Sequence, residues 1–416
     1  MMKKVFGLFF VGLACVILSG RMFSAEVFRK PPVKLGVEVL VEKRPDLLKG
    51  KKAGLITNRS GTDSRLNSSI DLIYGIPGVK LVALYAPEHG IRGGLMGEVE
   101  NETDQKTGIP VFSLYGKTRR PTRQMLKDIE VLLFDIQDIG SRSYTYITTL
   151  KYCMEEAAKE RIPLIILDRP NPVNGLLVDG PVLNPEFESF IGAGPLAYLH
   201  GMTIGEVGRF LNEELQINCE LEVVLMEGWQ RSMSWRDTGL FWTPTSPHIP
   251  EMDTVWFYPI TGIFGELSVA SVGVGYTLPF KIVGSPWMDA EKVSEELNKR
   301  HIPGVYFQPF SFVPFYGKFK DEPCNGFRIV IRDETSFRPV ATGYHIINAL
   351  LKLYPGNFKF SSPEVRKRTA SFDKANGTDK IRLMFEKNIP AEDIIRSYQA
   401  ELNEFRGKRQ RYLLYE

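Results

Sequence analysis

The chain has 416 residues and a formal net charge of +3, and 43% of its residues are hydrophobic while 24% are charged. This composition is typical of a globular protein, and the length predicts two domains with an ample core. Outside the first 25 residues, the basic and acidic side chains balance. Nucleic acid is therefore excluded as the main partner, because phosphate binding requires a basic face.

The first 25 residues predict a secretory signal peptide. A basic start at Met1 to Lys4 precedes an apolar run from Val5 to Gly20, and the small residues Ser24 and Ala25 follow it. The apolar run is short for a membrane-spanning helix. We therefore expect cleavage after Ala25 and a secreted or periplasmic protein, which contacts the membrane only if this segment stays uncleaved.

Strand-like apolar runs alternate with helix-like stretches between Val33 and Trp229. This alternation predicts an α/β fold with a doubly wound parallel sheet over residues 34–235. Tryptophan and proline then cluster up to Trp287, and shorter mixed runs predict a second, smaller α/β domain over residues 236–416. The predicted strands of the first domain are 53–57, 80–85, 110–112, 131–134, 163–167 and 220–226, and its helices are 69–76, 122–129, 144–161 and 203–215.

Polar residues follow or end four of these strands, namely Asn58, Glu88, Asp135 and Asp168. In an open parallel sheet, the carboxyl ends of the strands lie along one edge, and ligands bind just beyond it. Several carboxylates would then share one cleft. Crowding of like charges raises at least one carboxyl pKa, which makes a proton donor available near neutral pH.

Glu88 is the predicted proton donor. It lies in the run LVALYAPEHGIRGG, Leu81 to Gly94, on a loop beyond the strand, so its side chain can reach into the cleft. His89 and the backbone amides of Gly90 and Gly93 are its neighbours. The alternative is that Pro87 only ends the strand and that both polar residues are ordinary loop residues.

The segment FDIQDIGSRSYTY supplies two further acids, Asp135 and Asp138. Either acid can act as the second catalytic carboxylate, while the alternative for Asp135 is a bracing or helix-capping role. Arg142 and Tyr144 of this segment can hydrogen-bond the substrate, and Arg142 can instead form a buried pair with Asp138.

The segment DRPNPVNG, from Asp168 to Gly175, predicts a rigid turn that shapes the cleft. Asn171 or Asn174 can hydrogen-bond a sugar hydroxyl or amide, and bracing of the turn is the alternative. His200 precedes a helix start and can contact the substrate or stabilise the fold.

No metal or cofactor is predicted. The spacings of histidine and glutamate that are typical of a metal site are missing, and the glycines from Gly90 to Gly97 do not match a dinucleotide fingerprint. Neither a G-x-S-x-G elbow nor a Walker sequence occurs. Cys153, Cys219 and Cys324 lie far apart and predict buried thiols rather than disulfides.

Seven motifs carry a resemblance to a known family. They are, in order, GLITNRSG, APEHGIRG, FDIQDIGSRSYTY, DRPNPVNG, HGMTIGE, SPHIPEMDTVWFYPITG and GYTLPFKIVGSPW. From about Leu35 to the carboxyl terminus, the chain resembles the bacterial peptidoglycan exo-β-N-acetylmuramidase family, formerly a domain of unknown function. The resemblance implies a Rossmann-like domain, a smaller α/β domain that closes the cleft, and Glu88 of the PEHG motif as the catalytic acid.

One loop departs from the family pattern. Many members carry SEGRGTT where this chain has SVGVGYT, Ser271 to Thr277, so valines replace a glutamate and an arginine. Arginine is a natural partner for the lactyl carboxylate of muramic acid. The departure leaves Arg92 and Arg142 as the predicted carboxylate partners.

The predicted function is that of an exo-acting glycoside hydrolase that releases N-acetylmuramic acid, or a related amino sugar, from the non-reducing end of peptidoglycan fragments. Glu88 would protonate the leaving oxygen, and Asp135 or Asp138 would activate water or orient the acetamido group. The alternatives are a non-catalytic wall-sugar-binding or scaffold protein of the same fold and, as the weakest, a nucleotide-dependent sugar transferase. The predicted substrate-binding residues are Asn58, His89, Arg92, Arg142, Tyr144, Asp168, Asn171 and His200.

Overall fold

The computed structural model describes residues 33–94 and 97–416. The predicted signal peptide lies outside the described residues. Within those ranges, every helix is too short or too polar to span a bilayer. The residues from 33 onward belong to one compact unit.

The described strands and helices follow the chain in an alternating order. The strands are β1 (Lys52–Thr57), β2 (Lys80–Ala86), β3 (Glu102–Thr103), β4 (Pro110–Ser113), β5 (Val131–Asp135), β6 (Leu164–Leu167), β7 (Asp179–Val182), β8 (Ala197–Leu199), β9 (Leu221–Val224), β10 (Ile282–Ser285), β11 (Val305–Phe312) and β12 (Cys324–Ile331). The helices are α1 (Gly36–Lys43), α2 (Ser69–Tyr74), α3 (Arg123–Leu126), α4 (Tyr146–Glu160), α5 (Ile204–Glu214), α6 (Thr254–Gly265), α7 (Ala290–Asn298), α8 (Pro339–Leu353), α9 (Pro363–Arg366), α10 (Thr369–Asn376), α11 (Lys380–Glu386), α12 (Ala391–Ser397) and α13 (Gln399–Arg409).

The central sheet has the strand order β3-β4-β2-β1-β5-β6-β9 among the described residues. All neighbouring strands in it are parallel except β3, which runs antiparallel to β4. The predicted mostly parallel α/β sheet is therefore confirmed.

Both faces of the central sheet are buried, which is why its strands appear as continuous apolar runs. In β5, Leu132 and Phe134 join one hydrophobic cluster, while Val131 and Leu133 join another on the opposite face. The first cluster includes side chains of α4 and α5, and the second includes side chains of α1 and α2. Helices thus cover both faces and leave the strand ends as the place for a ligand.

Helix α5 lies within the helix predicted over residues 203–215 and begins at a capping box. Thr203 Oγ1 accepts a hydrogen bond from the Glu206 amide at 3.2 Å, and Glu206 Oε2 accepts one from the Thr203 amide at 2.9 Å. The box fixes the start of α5 beside the carboxyl end of β6.

A smaller sheet lies in the carboxyl-terminal region. It is antiparallel with the order β10-β12-β11, and α7 packs on β11 and β12. Helices α6 and α8 pack together beside it. This smaller mixed region is the one expected from the sequence.

The last described residues return to the first part of the chain. The Arg231 amide donates to the Glu416 carbonyl at 2.7 Å, and the Leu414 amide donates to Glu206 Oε1 at 2.7 Å. These contacts bring Tyr415 next to the carboxyl end of β6, where its hydroxyl reaches Asp168.

Candidate active site

The four strand-end residues lie along one edge of the central sheet, as predicted. Strands β2, β1, β5 and β6 are consecutive neighbours, and Thr57 pairs with Asp135 in register. Asn58, Asp135 and Asp168 are buried, whereas Glu88 is partly exposed. Of the four, Glu88 is the one that a ligand in solution can reach.

Glu88 lies on the loop beyond β2 and is held by the start of α4. Thr145 Oγ1 donates a hydrogen bond to Glu88 Oε2 at 2.6 Å. Thr145 is the residue before α4, where threonine usually caps the helix, but its side chain makes no capping bond there. The Glu88 carboxylate is therefore fixed by a helix start rather than left in solvent.

Tyr115 forms a second support for Glu88. It lies just beyond β4, the neighbour of β2, and burial together with the nearby Glu88 carboxylate raises the pKa of Tyr115 to about 12. The phenol therefore stays protonated near neutral pH and can donate a hydrogen bond toward Glu88.

His89 adopts a φ of 72°, a left-handed conformation that is uncommon for residues other than glycine. Burial lowers the pKa of His248, and the charge of His89 lowers it further. His248 Nε2 in turn hydrogen-bonds the hydroxyl of Tyr316, which lies between β11 and β12. The carboxyl-terminal region thus contributes Tyr316 to the surroundings of the Glu88 loop.

Four residues near Glu88 were absent from the predicted site. Tyr115 follows a strand next to β2, so the strand-end argument could have found it. Thr145 and His248 lie inside motifs that carry the family resemblance, but their contacts are long-range. For Tyr316 the sequence offers no comparable signal. The missed residues are Tyr115, Thr145, His248 and Tyr316.

Asn58 and Tyr144 brace the site from within. Asn58 Nδ2 donates to the Tyr146 hydroxyl at 2.9 Å, and that hydroxyl donates to the Thr245 carbonyl at 2.7 Å. The Tyr144 hydroxyl lies 2.7 Å from Thr245 Oγ1. These bonds tie the β1 and β5 loops to the segment that carries His248, which corrects the predicted direct substrate contacts of both residues.

Asp135 forms a buried ion pair. Its two carboxylate oxygens accept hydrogen bonds from Arg169 Nε at 2.6 Å and Nη2 at 2.8 Å. Arg169 Nη2 also donates to the Thr62 carbonyl at 2.8 Å. Such a bidentate pair keeps a buried carboxylate satisfied, so Asp135 takes the bracing role that the sequence left open.

Asp168 is enclosed by the fold, which corrects its predicted place in the cleft. Its Oδ1 accepts from the Arg169 and Gly205 amides at 2.9 and 2.8 Å. Its Oδ2 accepts from Thr203 Oγ1 at 2.8 Å and from the Tyr415 hydroxyl at 2.6 Å. The carboxylate therefore links β6, α5 and the end of the chain.

The enclosed Asp168 predicts a pH-dependent stability. Burial raises its pKa from 3.8 to about 6, so between about pH 4 and 6 the folded state binds this proton more tightly than the unfolded state. The stabilisation from this proton is lost as the pH rises through about 6. Asp168→Asn does not titrate. We therefore expect the free energy of unfolding of the wild type, relative to this variant, to fall from about pH 4 to 6 and then level off.

Denaturant unfolding of both proteins across this pH range measures the difference. Asp128→Asn is the matched control, because the Asp128 side chain is 73% exposed. A difference between wild type and Asp168→Asn that does not change with pH would contradict the raised pKa.

Asp138 and His200 form a second buried polar group. Asp138 Oδ2 accepts the Gly140 amide at 2.7 Å and lies 3.7 Å from His200 Nε2. Asp138 Oδ1 and His200 Nε2 have no hydrogen-bond partner among the described residues. His200 Nδ1 accepts the Met202 amide at 3.2 Å, so Nε2 carries the proton. Burial raises the pKa of Tyr144, and the charge of Asp138 raises it further. Asp138 and His200 therefore lie near Tyr144, just before the start of α4.

Asn171 braces the turn after β6. Its Nδ2 donates to the Met202 carbonyl at 3.0 Å, and its Oδ1 accepts the Val173 amide at 3.1 Å. Gly140 has a φ of 78°, and a Cβ there would lie 2.4 Å from Asn171 Oδ1. Bracing is the alternative that the sequence left open, and these contacts assign Asn171 to it rather than to the substrate.

The two arginines predicted to bind a substrate carboxylate are engaged elsewhere. Arg92 is exposed and pairs with the buried Asp104 at 2.6 Å. Arg142 is fully buried and donates to the carbonyls of Pro181, Leu196 and Ala375 at 2.7, 2.8 and 2.8 Å. Burial lowers the pKa of Arg142 to about 10. Its predicted substrate contact is corrected, because the guanidinium joins three backbone segments inside the protein.

The loop from Ser271 to Thr277 carries its two valines as packing residues. Val272 is buried, and Val274 packs against the same hydrophobic cluster. Gly275 approaches Tyr316 so closely that a Cβ on it would lie 1.9 Å from the Tyr316 carbonyl oxygen. The loop from Ser271 to Thr277 therefore packs against Tyr316, the residue that hydrogen-bonds His248.

Metal-ligating side chains do not converge in the part of the chain that the structure describes. Across residues 33–94 and 97–416, no three or more His, Cys, Asp or Glu side chains are grouped so that they could hold an ion.

Two family models match consecutive parts of the chain. The model described as exo-beta-N-acetylmuramidase NamZ, N-terminal, matches residues 53–253, and the corresponding C-terminal model matches residues 256–415. The chain belongs to the NamZ family. In this NamZ-family protein, Glu88, Tyr115, Thr145 and His248 lie in the N-terminal match and Tyr316 lies in the C-terminal match.

Three known proteins match nearly the whole chain. The sequence is 41% identical to the peptidoglycan beta-N-acetylmuramidase NamZ of Bacillus subtilis (strain 168), with 100% of both chains covered. A crystal structure of a DUF1343 family protein from Bacteroides fragilis NCTC 9343 has a TM-score of 0.88 and 43% identity, covering 92% of this chain and 99% of that one. A second DUF1343 family protein of that organism has a TM-score of 0.72 and 27% identity, covering 93% and 99%.

Proposed function

We propose that this chain is an exo-acting β-N-acetylmuramidase that releases N-acetylmuramic acid from the non-reducing end of peptidoglycan fragments. The observation that carries the proposal is the setting of Glu88, a partly exposed carboxylate that Thr145 fixes at 2.6 Å at the edge of the sheet. Membership in the NamZ family and the 41% identity to the Bacillus subtilis enzyme support the substrate class.

In this proposal Glu88 donates a proton to the glycosidic oxygen as the bond to the leaving sugar breaks. Thr145 and Tyr115 orient the carboxyl group from two sides. Of the two acids predicted for the second role, Asp135 has both oxygens bound to Arg169, whereas Asp138 Oδ1 has no hydrogen-bond partner in the described ranges. Asp138 is also buried, but it is the one of these two acids that keeps an oxygen without a partner, and we therefore assign the second carboxylate role to it.

We further infer that the first domain is Rossmann-like and doubly wound. The support is the strand order β4-β2-β1-β5-β6-β9, which corresponds to the order 3-2-1-4-5-6 when these parallel strands are numbered along the chain. In that fold, ligands bind outside the carboxyl ends of the strands, where Glu88 lies.

We also propose that the protein is exported. The support is the sequence pattern of its first 25 residues, with a basic start, an apolar run and small residues at Ser24 and Ala25. Secretion or a periplasmic location would bring the enzyme to peptidoglycan. Amino-terminal sequencing of the mature protein should begin near Glu26, and recovery of the full-length chain in the cytosol would contradict export.

A turnover assay tests the proposed activity. The chain without its first 25 residues should cleave 4-nitrophenyl N-acetylmuramide and should release N-acetylmuramic acid from a disaccharide that carries it at the non-reducing end. Specific binding of N-acetylmuramic acid without any turnover would instead support the sugar-binding alternative.

A further inference from the structure

We propose that Arg119 binds the lactyl carboxylate of N-acetylmuramic acid and thereby determines which amino sugar the site accepts. This inference rests on the proposed function, since the carboxylate belongs to the proposed substrate. N-Acetylglucosamine has the same ring without the lactyl group, so a cation placed for that group would separate the two sugars.

Arg119 is held on an aromatic pair beside Glu88. Its guanidinium carbon lies 4.0 Å from the ring centroid of Phe190 and 5.5 Å from that of Tyr115. The two rings lie 5.8 Å apart. Contact with aromatic faces orders a guanidinium without neutralising its charge. Burial and, to a lesser extent, the Glu88 carboxylate raise the pKa of Tyr115. The side chain of Tyr115 therefore lies next to both Arg119 and the proton donor Glu88.

The charge of Arg119 is available to a ligand, whereas that of its neighbour Arg120 is paired within the protein. Arg120 pairs with Glu155 and Glu156 of α4 and lies 3.8 Å from the ring centroid of Tyr152. Arg119 is exposed and forms no ion pair with any residue in the described ranges. An ordered cation without an anionic partner is suited to bind an anionic ligand.

Other arginines near this edge of the sheet are engaged within the protein. Arg59 Nε donates to the Pro244 carbonyl at 2.8 Å, and a Cβ on Gly93 would lie 2.8 Å from the Arg59 side chain. Arg59 therefore joins the Glu88 loop to the segment that leads to His248. Arg92, Arg142 and Arg169 have the partners described above.

The chemistry of the sugar fits this arrangement. The scissile bond of N-acetylmuramic acid is at C1, and the lactyl ether extends from C3 on another side of the ring. A proton donor and a carboxylate-binding cation must therefore stand about one sugar ring apart. Tyr115, which contacts Arg119 and lies beside Glu88, separates the two groups by one aromatic side chain.

The test compares two chromogenic substrates that differ in one charge. These are 4-nitrophenyl N-acetylmuramide and its lactyl methyl ester. For Arg119→Gln, we expect kcat/KM on the acid to fall about 10- to 100-fold, mainly through KM, because a charge-assisted hydrogen bond is lost. Turnover of the ester should stay near the wild-type value. Arg119→Lys should restore part of the preference for the acid, and Arg120→Gln is the matched control that should keep it.

The outcomes separate this inference from the proposed function. Equal losses of Arg119→Gln on both substrates, or no loss on the acid, would overturn the role of Arg119 while leaving the activity intact. If the wild type cleaves neither substrate, the proposed function fails. In that case, calorimetric titration of the same proteins with N-acetylmuramic acid and its methyl ester still tests the role of Arg119. If Arg119→Gln binds the acid as selectively as the wild type does, the inference is overturned.

Discussion

Replacing Glu88 with glutamine is expected to lower turnover of a natural disaccharide about 10²- to 10⁴-fold, the usual contribution of a general acid. The amide cannot donate the carboxyl proton to the leaving oxygen, but its oxygen can still accept the hydrogen bond from Thr145. The variant should therefore fold and bind N-acetylmuramic acid. Nitrophenol leaves with little help from a proton, so the loss should be smaller on the aryl glycoside.

Steady-state kinetics on both substrates, with calorimetry for binding, measure this difference. Glu100→Gln is a suitable control, because Glu100 is exposed on the segment that follows the Glu88 loop. Thr145→Val should give an intermediate loss, since it removes only the hydrogen bond that orients the acid. Near wild-type turnover of the disaccharide by Glu88→Gln would move the proton donor elsewhere, and Asp138→Asn would be examined next.

Replacing Arg142 with methionine is expected to lower the free energy of unfolding by about 1–3 kcal/mol for each buried carbonyl that is left unsatisfied. The side chain donates to three buried carbonyls, those of Pro181, Leu196 and Ala375, and its removal leaves them without these hydrogen bonds. Ala375 lies in the region matched by the C-terminal family model, whereas the other two lie in the N-terminal match. Loss of these hydrogen bonds should therefore weaken the packing between the two matched regions.

Thermal and denaturant unfolding measure this loss. If Arg142→Met does not fold, Arg142→Lys retains one cation for the same carbonyls and should show a smaller, measurable destabilisation. Arg396→Met is the control, because both members of its ion pair with Asp393 are exposed and such a pair contributes only about 0–1 kcal/mol. Normal stability of Arg142→Met together with weakened substrate binding would restore the role predicted from the sequence.

Local sequence patterns were sufficient to predict the edge of the sheet and the position of Glu88 just beyond β2. Apolar runs and their polar ends reveal buried parallel strands, and Pro87 marks the end of β2. The capping box at Thr203 and Glu206 is equally local, because its two residues are close in sequence. Such patterns depend on residues that are close in sequence, so they can be recognised without the fold.

Whether a polar side chain faces a ligand or the interior depends on distant residues. Asp168 resembles Glu88 in its position after a strand, but Tyr415, which is 247 positions away, encloses it. Arg142 is engaged in part by Ala375, at a separation of 233 positions. No local pattern around either residue reports these partners, which is why the two were predicted as substrate contacts.

The return of Tyr415 to Asp168 has a consequence for the order of folding. During synthesis the acid at the end of β6 is made long before the hydroxyl that covers it. A contact across 247 positions requires closure of a loop that is longer than half of the chain, and contacts of this kind slow folding. The first region should therefore remain incomplete, with its central sheet open at this acid, until the second region has formed and delivered the tail. The final step of folding would then be the insertion of a single tyrosine.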